Sequence, residues 1–178
     1  VCRLTNQNWF SNDELFRKEL ETGHKWAALV VSRLNDNDIP AELTPLMWRN
    51  NIDARHEFSD ETDIIVPTPS GVLQLESKSR NLHFTDVPVS YPYDTALVDT
   101  VSGWNKKIDK PFAVVLTSQE TSEMLVIPSR TNANWTTKLS YDRVRQIQDR
   151  WYEVKWDKML PFDVLVTAIQ KRLVTPRF

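Results

Sequence analysis

The chain has 178 residues, 40% of them hydrophobic, which is the length of one domain and enough apolar bulk to build a core without disulfides or metals. Lysine plus arginine number 22 against 24 aspartate plus glutamate, so a net charge of −2 excludes a strongly basic nucleic-acid-binding domain and confines any polyanion surface to a local patch. A single cysteine, Cys2, excludes an internal disulfide framework and a cysteine-built zinc site, and only three histidines argue against a histidine-rich one.

No apolar run approaches the ~20 residues of a membrane span, and no secretory-leader pattern opens the chain. The sequence therefore predicts a soluble, cytoplasmic protein without membrane association. Its first element is a helix beginning at Asn12: Ser11 can cap, Glu14 follows three positions on, and Phe10 can staple onto Leu15. Thr22-Gly23 predicts a break, after which Trp26, Ala27, Val30, Val31 and Leu34 make a second helix over His24 to Leu34. Asn35 to Asp38 ends it, and Pro40 and Pro45 make continuation improbable. Ile52 to Phe58 reads as an irregular strand or the approach to a hairpin, and Ser59-Asp60-Glu61 as a solvated acidic bend.

The stretch DIIVPTPSGVLQLESK, Asp63 to Lys78, reads as a β-hairpin, because an apolar run and an alternating run flank a cluster of turn residues. With a side-chain period of two, Leu73 and Leu75 share one face while Gln74, Glu76 and Lys78 share the other. Asp63, at the head of the first strand, would then stand beside Glu76 and Lys78. Two carboxylates for a divalent cation next to a lysine for the attacking water are the parts of a metal-dependent hydrolase. The plainer reading is an ordinary hairpin with a wet, charged face, where cross-strand charges contribute only ~0.2 to 1 kcal/mol.

After Lys78 a polar, aromatic loop runs to Tyr93, followed by ordered structure at Thr95 to Val98 and one or two helical turns over Val101 to Lys107. Phe112 to Thr117 predicts a buried strand, with Glu123 to Ile127 its neighbour across a turn. Ser140 predicts the cap of a helix from Tyr141 to about Tyr152, with Val144, Ile147 and Trp151 inward and Arg143, Arg145 and Arg150 outward. A last helix runs from Pro161 to Leu173. Together these make an α/β fold with a central mixed β-sheet of about five strands flanked by helices, residues 1–178 forming a single domain.

Asp63 followed by Glu76-Ser77-Lys78, behind an N-terminal helix and ahead of a strand, helix and strand, resembles the PD-(D/E)XK nuclease superfamily. The wider segments SDETDIIV, LQLESKSRNLHFTD, YPYDTALVDTV and KPFAVVLTSQ are similar to small nuclease-like proteins of that superfamily encoded by bacteriophages, over roughly Thr22 to Trp135. The resemblance implies a restriction-endonuclease-like αβββαβ core and an enzyme, a Mg²⁺- or Mn²⁺-dependent deoxyribonuclease that cleaves DNA phosphodiester bonds through a metal-activated water. By the same resemblance Asp63, Glu76 and Lys78 are catalytic, and Asp63, Glu76 and the backbone carbonyl of Ser77 are metal ligands. It also implies a host-cytoplasmic protein if phage-encoded. Two positions depart from the family pattern: Ala27 stands where many members carry a helix glutamate, and Thr62 rather than proline precedes Asp63.

Arg80, Tyr93, Lys106 and Lys107 are the candidate nucleic-acid contacts, as cations or rings that follow the site in polar context. His56 and His83 read as surface or structural residues, and Trp26, Trp48, Trp104, Trp135, Trp151 and Trp156 as packing residues. A homo-oligomer is compatible with the sequence. The alternative function is a catalytically inactive nucleic-acid-binding or assembly protein on the same fold. An unrelated α/β enzyme is disfavoured because no P-loop, dinucleotide fingerprint or nucleophile elbow is present, and three glycines cannot build a phosphate cradle.

Overall fold

A computed structural model describes residues 7–45, 62–142 and 147–174, and it begins with one long helix, α1 (Gln7–Asn35). The expected start at Asn12 and the expected break at Thr22-Gly23 are both corrected. A glycine inside a helix costs about 1 kcal/mol relative to alanine. Burying Ala27, Val30 and Leu34 on one stripe outweighs that cost. The end of α1 is legible in its residues. Asp38 takes a left-handed φ of 58°, the Asp38 N–H donates to Asn35 (3.0 Å), and the Ile39 N–H donates to Leu34 (3.1 Å). This is the reciprocal pair of bonds that closes a helix, and Ile39 and Leu34 are both fully buried beside it.

The expected hairpin is present as β2 (Ile64–Thr68) and β3 (Gly71–Arg80), with β1 (Glu42–Leu43) on the outer edge. Pro67 is tolerated in β2 because β1 pairs only with Ile64 and Ile65, so no neighbour asks for its missing N–H. The chain then crosses through β4 (Thr95–Thr100) and α2 (Val101–Lys106) before β5 (Ala113–Ser118) returns parallel to β3. The strand β6 (Met124–Pro128) pairs antiparallel with β5. The strand segment predicted at Ile52 to Phe58, the acidic bend, His56 and Trp48 lie outside the described residues.

The helix expected from Tyr141 to Tyr152 is also corrected. The described residues of that stretch belong to two antiparallel strands, β7 (Thr136–Asp142) and β8 (Ile147–Lys155), and β8 also pairs with β4. Over so few residues an apolar spacing of three and four does not separate helix from strand, and the bonds to β4 decide the matter. Val144, Arg143 and Arg145 lie outside the described residues. The last elements are β9 (Leu160–Pro161) and the expected C-terminal helix, α3 (Phe162–Val174).

Two sheets result rather than one. The larger is mixed, ordered β1-β2-β3-β5-β6-β9, and the smaller is β4-β8-β7. Every residue of β5 is buried, as a strand covered on both faces must be. Ala113 and Val115 pack with Ile64, Val66, Leu75 and the helices α1 and α3. Val114 and Leu116 face the other way, towards Trp104 of α2, Ala96 and Val98 of β4 and Val154 of β8. Glu76 and Lys78 sit in register with Val114 and Leu116, so the alternation carries both onto this second face. No helix among the described residues is long and apolar enough to cross a membrane.

Candidate functional site

Asp63 is set at the mouth of β2 by its neighbour Thr44, whose N–H donates to the Asp63 carbonyl (3.0 Å) and whose hydroxyl donates to the Thr62 carbonyl (2.6 Å). Its side chain reaches β3: Oδ2 accepts the Ser77 N–H at 2.7 Å. In an extended strand the carbonyl leaves on the same edge as the N–H, so the Ser77 carbonyl also faces the Asp63 side. Burial pushes the Asp63 carboxyl above its ordinary value of 3.8, the Ser77 N–H opposes that rise, and the neighbouring Glu76 charge adds to it.

Glu76 is buried on the second face. Its Oε1 lies 2.6 Å from the Lys78 ammonium, and its Oε2 accepts from the Lys107 ammonium. Burial alone would raise this carboxyl, but the two ammonium groups outweigh it and hold Glu76 down at about 2. Asp63 thus bonds the backbone between Glu76 and Lys78, which pair with each other. The structure also brings in two residues whose part the sequence did not disclose. Lys107, expected as a nucleic-acid contact, sits between Glu76 and Asp99 Oδ2, the latter at 3.3 Å.

Asp99 owes its aim to two local features. The pairing of β4 with β8 shifts register between Leu97 and Asp99, an irregularity that re-aims the strand end. The Thr100 N–H then donates to Asp99 Oδ1 at 2.7 Å, while the Thr100 hydroxyl caps α2 by accepting the Gly103 N–H at 3.0 Å. This close approach requires glycine, since a Cβ at Gly103 would lie 2.7 Å from Thr100 Oγ1 and 3.1 Å from Asp99 Oδ1. Beyond α2, the Lys110 ammonium donates to the carbonyls of Trp104 and Lys107, fixing the backbone from which Lys107 extends. The sequence signal was an acid at a strand end followed by Thr-x-x-Gly.

The other candidates lie outside this cluster. Arg80 is half-buried, and its guanidinium donates to the carbonyls of Ser79 and Leu97 (both 3.0 Å), tying β3 to β4. Lys106 is exposed. Tyr93 is exposed too and meets the buried Tyr91 edge-on. His83 stands at the surface beside Glu120. Trp104 and Trp135 are buried against each other, 4.7 Å apart, as packing residues, while Trp26, Trp151 and Trp156 are half-buried.

No protein-family model matches this chain, and no curated protein matches it. Among the described residues no group of three or more His, Cys, Asp or Glu side chains stands ready to cage an ion. Asp63 and Glu76 are carboxylates, the oxygen donors a hard divalent cation takes. Magnesium is commonly held by one or two carboxylates together with waters, but in this structure both Glu76 oxygens are paired with the Lys78 and Lys107 ammonium groups.

Proposed function

We propose that this protein is a Mg²⁺- or Mn²⁺-dependent nuclease of the PD-(D/E)XK type, hydrolysing DNA phosphodiester bonds. The observation that carries the reading is the bond from the Ser77 N–H to Asp63 Oδ2 beside the ion pair of Glu76 and Lys78, all within a few residues of the β2/β3 hairpin. The element order supports it, since α1, β1, β2, β3, α2 and β5 follow the sequence αβββαβ with β4 inserted ahead of the second helix. Asp63 and Glu76, with the Ser77 carbonyl on the same side, would hold the cation, which supplies Lewis-acid stabilisation of the charge gathering on an attacked phosphodiester and acidifies water. Lys78 is the group placed to orient the attacking water and to neutralise developing negative charge. The strand fixes Lys78 two positions from Glu76, so both stay aligned whatever the substrate does.

The test is a cleavage panel of linear, circular, branched and single-stranded DNA with Mg²⁺ or Mn²⁺. Asp63→Ala is expected to abolish cleavage, and Lys78→Ala to reduce it by about 10²- to 10⁴-fold, the range for a positioned proton-transfer group. Metal-dependent cleavage retained by well-purified Asp63→Ala protein overturns the assignment. One observation favours a second reading, an inactive nucleic-acid-binding or assembly protein: both Glu76 oxygens are already neutralised by lysines. A protein of that kind shifts DNA in a gel yet binds no Mn²⁺ through Asp63 and Glu76.

A further inference from the structure

Lys107 stands apart from the other cations near the site because its ammonium lies between two carboxylates, Glu76 and Asp99, contributed by different sheets. Its side chain is only 15% exposed. Burying a long, charged side chain is unfavourable unless its charge is matched, and here the match is complete: Glu76 on one side, Asp99 on the other. The backbone on either side is pinned as well, by the Thr100 cap ahead of α2 and by the Lys110 ammonium on the carbonyl of Lys107 itself (2.8 Å). A surface lysine waiting for phosphate has no need of such a mounting.

We propose that Lys107 is the resident counter-ion of the site, a positioning residue that neutralises Glu76 in the cation-free protein and that a divalent cation must displace from Glu76 in order to bind. Asp99 is its anchor, retaining the ammonium near the site after displacement. The cation would therefore enter in competition with a tethered charge, which weakens its binding and makes the empty site stable. The inference rests on the reading of Asp63 and Glu76 as cation ligands and deepens it by assigning what controls their affinity.

The experiment is a titration of Mn²⁺ into the full chain, followed by calorimetry and by the electron paramagnetic resonance signal of free Mn²⁺, on the wild type, Lys107→Met and Lys107→Arg. Removing one like charge from a half-buried site is expected to tighten Mn²⁺ binding by about tenfold or more in Lys107→Met. Lys107→Arg, which keeps the charge, is expected to stay within about threefold of the wild type. Should Lys107→Met fold poorly, Lys107→Gln removes the charge while keeping a donor for Glu76 and carries the same expectation. If the wild type and the neutral variants bind Mn²⁺ equally, or the neutral variants bind more weakly, the counter-ion role is overturned and the proposed nuclease stands. If none of the proteins binds Mn²⁺, the cation-site reading falls and the counter-ion role with it.

Discussion

Arg80, at the end of β3, and Tyr91, in the segment that follows it, interact electrostatically, and burial acts on both. It pulls the Arg80 guanidinium down from its ordinary value, leaving it charged because arginine starts so high. It pushes the Tyr91 phenol up from 10.0, against the pull of Arg80. The folded protein therefore holds the phenolic proton more tightly than the unfolded chain does. Above about pH 10 the unfolded chain binds fewer protons at this position than the native state, so stability falls as pH rises through the folded value. Tyr91→Phe keeps the ring against Phe84, 5.5 Å away, and removes the ionisable group. Urea midpoints between pH 8 and 11 should decline less steeply for Tyr91→Phe than for the wild type. Residue identity alone made part of the site legible. Asp63, Glu76 and Lys78 follow from a hairpin and a period of two, both local properties. Asp99 and Lys107 do not, because Lys107 meets Asp99 and Glu76 only where the register-shifted end of β4 and the end of α2 come beside β3.

At the scale of elements, the hairpin β2/β3, the buried strand β5, its partner β6 and the helix α3 were readable because each has a strong periodic or continuous apolar signal. Two elements were misread for opposite reasons. In α1 the local break signal of Thr22-Gly23 is weaker than the buried stripe of Ala27, Val30 and Leu34 on its C-terminal side. In β7/β8 the spacing of apolar residues is helical, but the pairing of β8 with β4, a strand far earlier in the chain, sets the structure. The α1 case has a direct consequence. A Cβ added at Gly23 meets nothing within 4 Å, and the residue lies in the helix interior. Gly23→Ala should thus stabilise the protein by about 0.5 to 1 kcal/mol, from reduced freedom in the unfolded chain and better helix propensity. Were a real break present, the substitution would bring no gain. A chemical-denaturation midpoint, with the slope unchanged, measures the difference.

For the whole molecule, the larger sheet is a partition between two cores of different composition and different consequence. The side of α1 and α3 is aliphatic, built on residues such as Leu34, Ile64 and Ile169. The side of β4, α2 and β8 is rich in aromatics, with Phe84, Tyr91, Trp104 and Trp135, and it is the face that carries Glu76 and Lys78. Stability should then be distributed over both sides while cation binding depends on one. Leu165 of α3 is 3% exposed, and Leu165→Ala should cost about 2 to 5 kcal/mol through lost burial and a residual cavity. Trp104 is 2% exposed, and Trp104→Ala should cost about 3 to 5 kcal/mol by the same route. Their effects on the site should differ. Trp104 anchors α2, its carbonyl receives Lys110, and Lys107 follows three positions later. If Lys107 competes with a cation at Glu76 as proposed, the loss of Trp104 should loosen the mounting of Lys107 and tighten Mn²⁺ binding. Leu165→Ala, acting across the sheet, should leave that affinity as it was. Guanidinium melts give the stability of each variant, and Mn²⁺ titration of the folded protein gives the affinity. Equal shifts in affinity for both variants would mean that the sheet does not insulate its two faces.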